Sequence, residues 1–319
     1  MSVGPERGRR ALVRDLIAGA QVFLIALPLS LGIAMASGFP PVAGVLTAIV
    51  GGVIATFVGS APLTIKGPAA GLIVIAVAAV NALGGGDPVL GYRRTLAVGV
   101  LAAVAQIGLA LGGAASLGAA ISPSVVHGML AAIGVIIMAR QAHTVLGVSP
   151  EGRSPFELLA ELPHSLVHEN PEILLIGGLS LLLLFGLPLL RHRYAKRLPA
   201  PVLVLGLAVP LGLAFDLDHE HTYSLAGHAY RIGPQHLVSL PGAILDALAF
   251  PDFSHVFEWS SLKYVVMFAL VGSIESTLSV IAVDSLDPAK RASDLDRDLL
   301  AVGIGNLVAS AIGGLPMIS

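Results

Sequence analysis

Long apolar runs separated by short polar connections fill almost all of this chain. About 20 apolar residues cross a hydrocarbon core of about 30 Å at the rise of a helix, and nine runs of roughly that length can be placed: 15–37, 41–60, 67–83, 95–113, 122–141, 172–190, 199–216, 261–284 and 299–313. The third is short, and Ser60-Ala61-Pro62-Leu63-Thr64-Ile65-Lys66-Gly67-Pro68 before it is too irregular for helix. A tenth run starts at Pro316. The pattern predicts an all-α integral membrane protein with about nine and a half spans. Arg7, Arg9, Arg10 and Arg14 precede the first run, as in a signal peptide. That run is longer than a signal core, however, and passes at Gly38-Phe39-Pro40-Pro41 into a second full-length run, so it reads as a retained span.

Composition supports this reading. Of 319 residues, 55% are hydrophobic and only 12% charged, where a soluble domain carries about a quarter charged; the mean hydropathy is +0.87. The absence of cysteine removes disulfide and metal-thiolate chemistry, and 18 basic against 20 acidic side chains leave no positive field for nucleic acid. The 37 glycines and 21 prolines are many for lipid-embedded helices, which predicts broken spans of the kind transporters use. Lys and Arg concentrate on the cytoplasmic side of membrane proteins. A cytoplasmic N-terminus places 1–14, 191–197 and 285–298 inside, with 11 of the 18 basic residues, whereas 143–171 and 217–260 outside hold only Arg153 and Arg231. Arg93-Arg94 is the exception to that bias.

The chain also resembles itself at an offset of 254 residues. Gly59-Ser60-Ala61-Pro62 falls on Gly313-Gly314-Leu315-Pro316, run 41–60 on 295–314, and Gln21 on Glu275. Seven spans separate the copies, and an odd number inverts the second in the membrane, as in inverted-repeat transporters. A first repeat over 15–217 implies a second from about 261, of which 59 residues are present, so the sequence is expected to be part of a longer protein.

Two constellations could carry chemistry. Glu275, in Gly272-Ser273-Ile274-Glu275-Ser276-Thr277-Leu278-Ser279, is the one acid well inside an expected span. A charged side chain there costs about 2.5–3.5 kcal/mol even on the lenient insertion scale, so a cation, a proton or a cavity must offset it. Ser279 lies one turn on, on the same face; the pair suits Na⁺, and the carboxylate alone suits H⁺. A packing bond to a neighbouring helix is the bland alternative. The second constellation is Lys66-Gly67-Pro68-Ala69-Ala70-Gly71, with Pro316-Met317-Ile318-Ser319 as its repeat mate. A half-helix starting here in mid-membrane would turn free backbone N–H groups toward an anion, although an ordinary proline-capped helix would read the same. His219-Glu220-His221, with His228 and His236 nearby, fits a solvated loop better than a zinc pattern. His127 reads as an interfacial residue. No P-loop, dinucleotide fingerprint or H-E-x-x-H occurs, and nothing points to an enzyme.

Several ordered motifs resemble the SulP family of inorganic anion transporters: Ala26-Leu27-Pro28-Leu29-Ser30-Leu31-Gly32, Ala36-Ser37-Gly38-Phe39-Pro40-Pro41-Val42-Ala43-Gly44-Val45, Gly67-Pro68-Ala69-Ala70-Gly71, Ser273-Ile274-Glu275-Ser276, Asp284, Lys290-Arg291, Asp298-Leu299-Leu300, and Gly303-Ile304-Gly305-Asn306 to Gly313-Gly314-Leu315-Pro316-Met317. The likeness is nearest to the bacterial branch that includes bicarbonate transporters and members associated with carbonic anhydrases. It implies a seven-plus-seven inverted-repeat fold of core and gate domains, usually followed by a cytoplasmic STAS domain. On that pattern 1–14 is a cytoplasmic segment, 15–113 and 261–319 belong to the core, 122–217 to the gate, and 218–260 is an extracytoplasmic loop. The anion would lie near Ala69, Ala70, Gly71 and Ser319, with Gln21, Lys66, Pro68 and Ser276 in support. Glu275 and Ser279 would hold the coupling ion, Na⁺ or H⁺. Some relatives have Asp and Thr at these two places and a Thr near Ala69. The resemblance implies secondary active transport of sulfate or bicarbonate by an elevator-like movement, in a plasma-membrane homodimer among lipids. A channel-like or regulatory anion-binding protein, and a nucleobase transporter on the same fold, are the alternatives.

Overall fold

Helix starts in this chain are written by proline and by short polar caps. In the computed structural model, which describes residues 5–115, 123–150, 152, 155–189, 200–225, 227–238, 242 and 244–319, ten α-helices appear among the described residues: α1 (Pro5–Ala36), α2 (Pro41–Val58), α3 (Ile73–Gly84), α4 (Pro88–Leu111), α5 (Pro123–Leu146), α6 (Pro155–Val167), α7 (Pro171–Gly186), α8 (Ala200–Ala214), α9 (Trp259–Leu286) and α10 (Leu295–Ile312). Six of them open on proline, whose missing N–H costs nothing in a first turn. Asp87 accepts hydrogen bonds from the Val89 and Leu90 N–H groups at 2.9 and 3.2 Å, and Asp294 caps α10 through Arg297 N–H at 3.0 Å. The basic segment 191–197 and the side chain of His127 lie outside the described residues.

Several expected boundaries move. The fourth run becomes a helix from Pro88 rather than 95, because the Asp87-Pro88 cap starts it before the polar Tyr92-Arg93-Arg94. Likewise α9 begins at Trp259 and α10 at Leu295, on polar first turns that hydropathy does not count. The run at 67–83 divides into an extended pair, β1 (Gly67–Pro68), a 3₁₀ turn over Ala70–Leu72, and then α3. Connection 143–171 contains α6, which turns through 116° into α7. The loop 218–260 contains a hairpin of β2 (His221–Leu225) and β3 (His228–Ile232), so the fold is mostly rather than wholly helical. Thr222, Tyr223 and Tyr230 favour strand, and Gly227, at φ 84°, takes a left-handed turn position open to glycine. By length and composition, three helices among the described residues suffice to cross a membrane, Leu12–Ala36 within α1, α4 and α9; the α6–α7 pair is a fourth candidate, and α2, α3 and α8 are shorter apolar helices.

Packing divides the chain into two units, Met1–Ile25 with Gly134–Ser239 and Ala26–Ile133 with Leu240–Ser319. In the first, α7 packs on α8. The His143 ring is fully buried, 2.8 Å from Ser165 Oγ and 3.0 Å from the Leu158 carbonyl. Around the hairpin His219 pairs with Asp216 at 2.8 Å and Glu220 with Arg231. Among the described residues no three His, Asp or Glu side chains converge as a metal site would require.

In the second unit α10 lies against α4 and α2, and α9 against α4 and α3. Small residues permit the close approach: Ala97, Ala103 and Ala309 are wholly buried. Val50, Val302, Ala309 and Met317, the last in β4 (Met317–Ile318), form a buried cluster.

Candidate functional site

Two short extended segments, β1 and β4, meet in the second unit. Residues before proline are pushed out of the helical region, so Gly67 before Pro68 and Leu315 before Pro316 keep both segments extended. β1 and β4 pair antiparallel, Gly67 opposite Ile318 and Pro68 opposite Met317. The Ala69 N–H closes the pair by donating to the Pro316 carbonyl at 3.0 Å.

The second segment follows α10 because Gly313, at φ 103°, ends that helix in a left-handed conformation. Leu315 N–H then donates to Thr47 Oγ1 at 2.6 Å. Asn306 acts as a strand edge for Met317: its Oδ1 accepts the Met317 N–H at 2.6 Å and its Nδ2 donates to the Met317 carbonyl at 3.0 Å. The remaining Nδ2 hydrogen goes to Gln106 Oε1 at 2.8 Å. Each of these side chains is buried, so the bonds satisfy backbone that no ladder serves.

Beside the crossing, α9 presents Glu275, 4% exposed. Its Oε1 accepts the Gly71 N–H at 3.1 Å, whereas Oε2 is buried with no partner among the described residues. A Cβ on Gly71 would overlap this carboxylate, so only glycine admits the acid here. Leu72 N–H bonds to the Ala69 carbonyl and Ile73 N–H to that of Ala70, which leaves the Ala70 N–H as the free donor of the turn among the described residues. Ala69 is buried; Ala70 and Gly71 are half-buried. Pro68 contributes no donor and serves to hold the segment extended.

Ser276 Oγ donates to Ser319 Oγ at 2.9 Å and accepts the Ser319 N–H at 3.2 Å. Ser319 Oγ in turn donates to Asp298 Oδ2 at 2.6 Å. Lys66, anticipated as a supporting cation for an anion, instead spends its charge on Asp298 Oδ1, 2.6 Å away, and also reaches Thr64 Oγ1 at 2.5 Å. Ser279 sits one turn beyond Glu275, half-buried, and no hydrogen bond joins the two. Gln21 lies in the other unit, exposed on α1, and takes no part in these bonds. An open cleft of about 470 Å³ is lined by Gly51, Ser60, Thr64 and Lys66, among others.

Asp298, Asn306, Gln106 and Thr47 carry much of this geometry and were assigned no role from sequence. Asp298 and Asn306 fall within the motifs that carry the family likeness, and Gln106 is a polar residue inside an apolar run, which is the signal that could have found it.

The chain matches the Sulfate permease family over residues 12–319. It is 26% identical over 311 residues to YvdB of Bacillus subtilis (strain 168), covering 95% of this chain and 53% of that protein. To the bicarbonate transporter BicA of Picosynechococcus it is 26% identical over 306 residues, 94% of this chain and 50% of that one. The solved transmembrane domain of a cyanobacterial BicA superposes with a TM-score of 0.72 at 25% identity, covering 96% of this chain and 73% of that one. Murine Slc26a9 in its inward-facing state shares the fold, with a TM-score of 0.74 at 15% identity over 96% of this chain and 51% of that one. The chain thus spans about half the length of the curated relatives it matches. With the crossing segments, the acid-bearing α9 and a match over residues 12–319, this chain belongs to the sulfate permease (SulP) family.

Proposed function

We propose that this chain takes part in secondary active transport of a small inorganic anion, sulfate or bicarbonate, across the membrane, with H⁺ or Na⁺ as the coupling ion at Glu275. The observation that carries the proposal is the Glu275 carboxylate set against the Gly71 N–H, with its second oxygen buried and unpartnered. An anion bound at the Ala70 N–H would lie close to that carboxylate. Two unit charges about 5 Å apart repel by about 3 kcal/mol at an effective dielectric constant of 20. A proton or a sodium ion on the free oxygen removes the repulsion, so cation and anion bind together, which is the thermodynamic requirement of symport. A proton needs only Oε2; sodium needs further oxygens, for which Ser279, one turn along α9, is the candidate.

Alternating access follows from the family fold on this reading. The unit that holds the crossing would be the core, the unit of α6–α8 the gate, and the core would carry the bound ions past the gate in a homodimer, with the N-terminus cytoplasmic. The anion itself crosses without any bond in it being made or broken. The test is uptake of labelled sulfate and bicarbonate by the full-length protein in proteoliposomes, with proton and sodium gradients imposed separately. Accumulation that follows one gradient and disappears in Glu275→Gln is the expected result. Wild-type accumulation by Glu275→Gln would remove the coupling role.

A further inference from the structure

The β1–β4 crossing is too short to hold its own register. Only two residues of each segment pair, and Pro68 and Pro316 cannot donate to a ladder. One end is closed by the Ala69 N–H to Pro316 carbonyl bond. Continued the other way, the pairing of Gly67 with Ile318 brings Lys66 opposite Ser319. These two residues are bridged by a single side chain, Asp298, with one carboxylate oxygen on each: Oδ1 to Lys66 Nζ and Oδ2 to Ser319 Oγ, both at 2.6 Å.

We propose that Asp298 is a positioning residue for the anion site, a clamp whose two oxygens each hold one of the crossing segments and so fix where the Ala70 N–H points. Three features support it. The carboxylate is 1% exposed and Lys66 is 4% exposed. Burying an ion pair rarely adds net stability, because desolvation offsets the attraction, so the role we assign to this pair is to hold a geometry. The acceptor is also fully engaged, since Oδ1 takes the Ala61 N–H at 3.3 Å as well and thereby ties down the irregular segment before Lys66. Finally, Ser319 passes the constraint on through its two bonds to Ser276, the neighbour of Glu275 on α9. Register of the crossing and position of the coupling acid are therefore set together by a residue that touches neither ion.

This inference rests on the transport reading, and two readouts separate their failures. The first is amide hydrogen exchange of the full-length protein without substrate. Asp298→Asn and Ser319→Ala should each speed exchange of the 67–72 segment by about tenfold, a size that matches a lost hydrogen bond to a charged group. Ser319→Thr, which keeps the hydroxyl, should restore protection. The second is transport: Asp298→Asn should raise the KM for the anion by about tenfold with kcat changed far less, as for lost ground-state positioning. Should Asp298→Asn fail to insert, the double variant Lys66→Met with Asp298→Asn removes both charges and should recover insertion, while exchange of the 67–72 segment stays about tenfold faster than in the wild type because the Lys66 arm is gone; wild-type protection in that variant would overturn the clamp. Unchanged exchange in both Ser319→Ala and Asp298→Asn overturns the clamp. Absence of sulfate and bicarbonate uptake by the wild type would instead overturn the transport reading, and the exchange measurement would still decide the clamp.

Discussion

The Gly71 N–H and Glu275 Oε1 lie 3.1 Å apart although 204 residues separate them in the chain. The bond joins the first turn of a short helix to the middle of a long one, and it needs both partners as they are. Glycine admits the carboxylate to the backbone; the long acid reaches it. One N–H of the turn is thereby occupied and its neighbour at Ala70 is left over, beside a carboxylate oxygen that lacks any partner among the described residues.

Gly71→Ala should therefore abolish or severely reduce uptake while the protein still inserts, because the added methyl would overlap the carboxylate. Asp is one methylene shorter than Glu, so Gly71→Ala combined with Glu275→Asp should recover part of the lost activity. The comparison is initial uptake rate at equal amounts of inserted protein. A Gly71→Ala variant that transports at the wild-type rate would show that the acid and the turn do not stay in contact during the cycle.

At Ala70 the side chain matters through its bulk, since the proposed donor is the backbone. Ala70→Leu should raise the apparent Michaelis constant or eliminate uptake, Ala70→Ser should be tolerated or shift selectivity, and Ala70→Asp should block the anion by repulsion. Initial rates across a series of anion concentrations separate these outcomes. Wild-type kinetics in both the Leu and Asp variants would place the anion elsewhere.

Asn306 makes three buried hydrogen bonds, two to Met317 and one to Gln106. Asn306→Leu leaves the Met317 N–H and carbonyl without partners, which should cost about 2–4 kcal/mol of stability. The measurement is the melting temperature of the detergent-solubilised protein, followed by size-exclusion chromatography after heating. Asn306→Asp keeps the acceptor for Met317 N–H and should lose less. Equal melting of wild type and the Leu variant would mean that water replaces the side chain.

Between α9 and α10, Asp287 accepts the Arg291 side chain at 2.7 Å and the Ala289 and Arg291 N–H groups at 3.0 and 3.2 Å. The Arg291 hydrogen bond, followed by the backbone bonds, holds this carboxyl below its ordinary range, at about 2. A depressed folded-state value gives stability that is present above the unfolded value of about 4 and is lost as pH falls toward the folded one. The wild type should thus lose this contribution between about pH 4 and pH 2, and Arg291→Gln should already lack part of it at neutral pH. Thermal melting of both proteins across that range is the check; parallel curves would show that the bond adds nothing.

The apolar runs and the carboxylate in the middle of α9 were legible from sequence, because each is a local property. A run of apolar residues is driven out of water wherever it sits, proline fixes its own backbone, and an acid inside a span announces its cost. The extended entry at 67–68 was legible for the same reason, through Pro68, whereas Pro316, read as the start of a tenth span, leads instead into the extended β4. Local signals missed what is written on the polar first turns, so α4, α9 and α10 start earlier than hydropathy placed them, and the strands in 218–260 went unseen among turn-forming residues. The tertiary structure alone decided the partners. Lys66 looked like a free cation beside an anion site, and it is the packing of α10 that brings Asp298, 232 residues away, into contact with it. The offset of 254 residues lays Gln21 over Glu275, yet Gln21 lies in the other unit. Which buried polar groups meet is settled by how helices pack, and nothing along the sequence near Lys66 or Asn306 encodes the neighbour each will find.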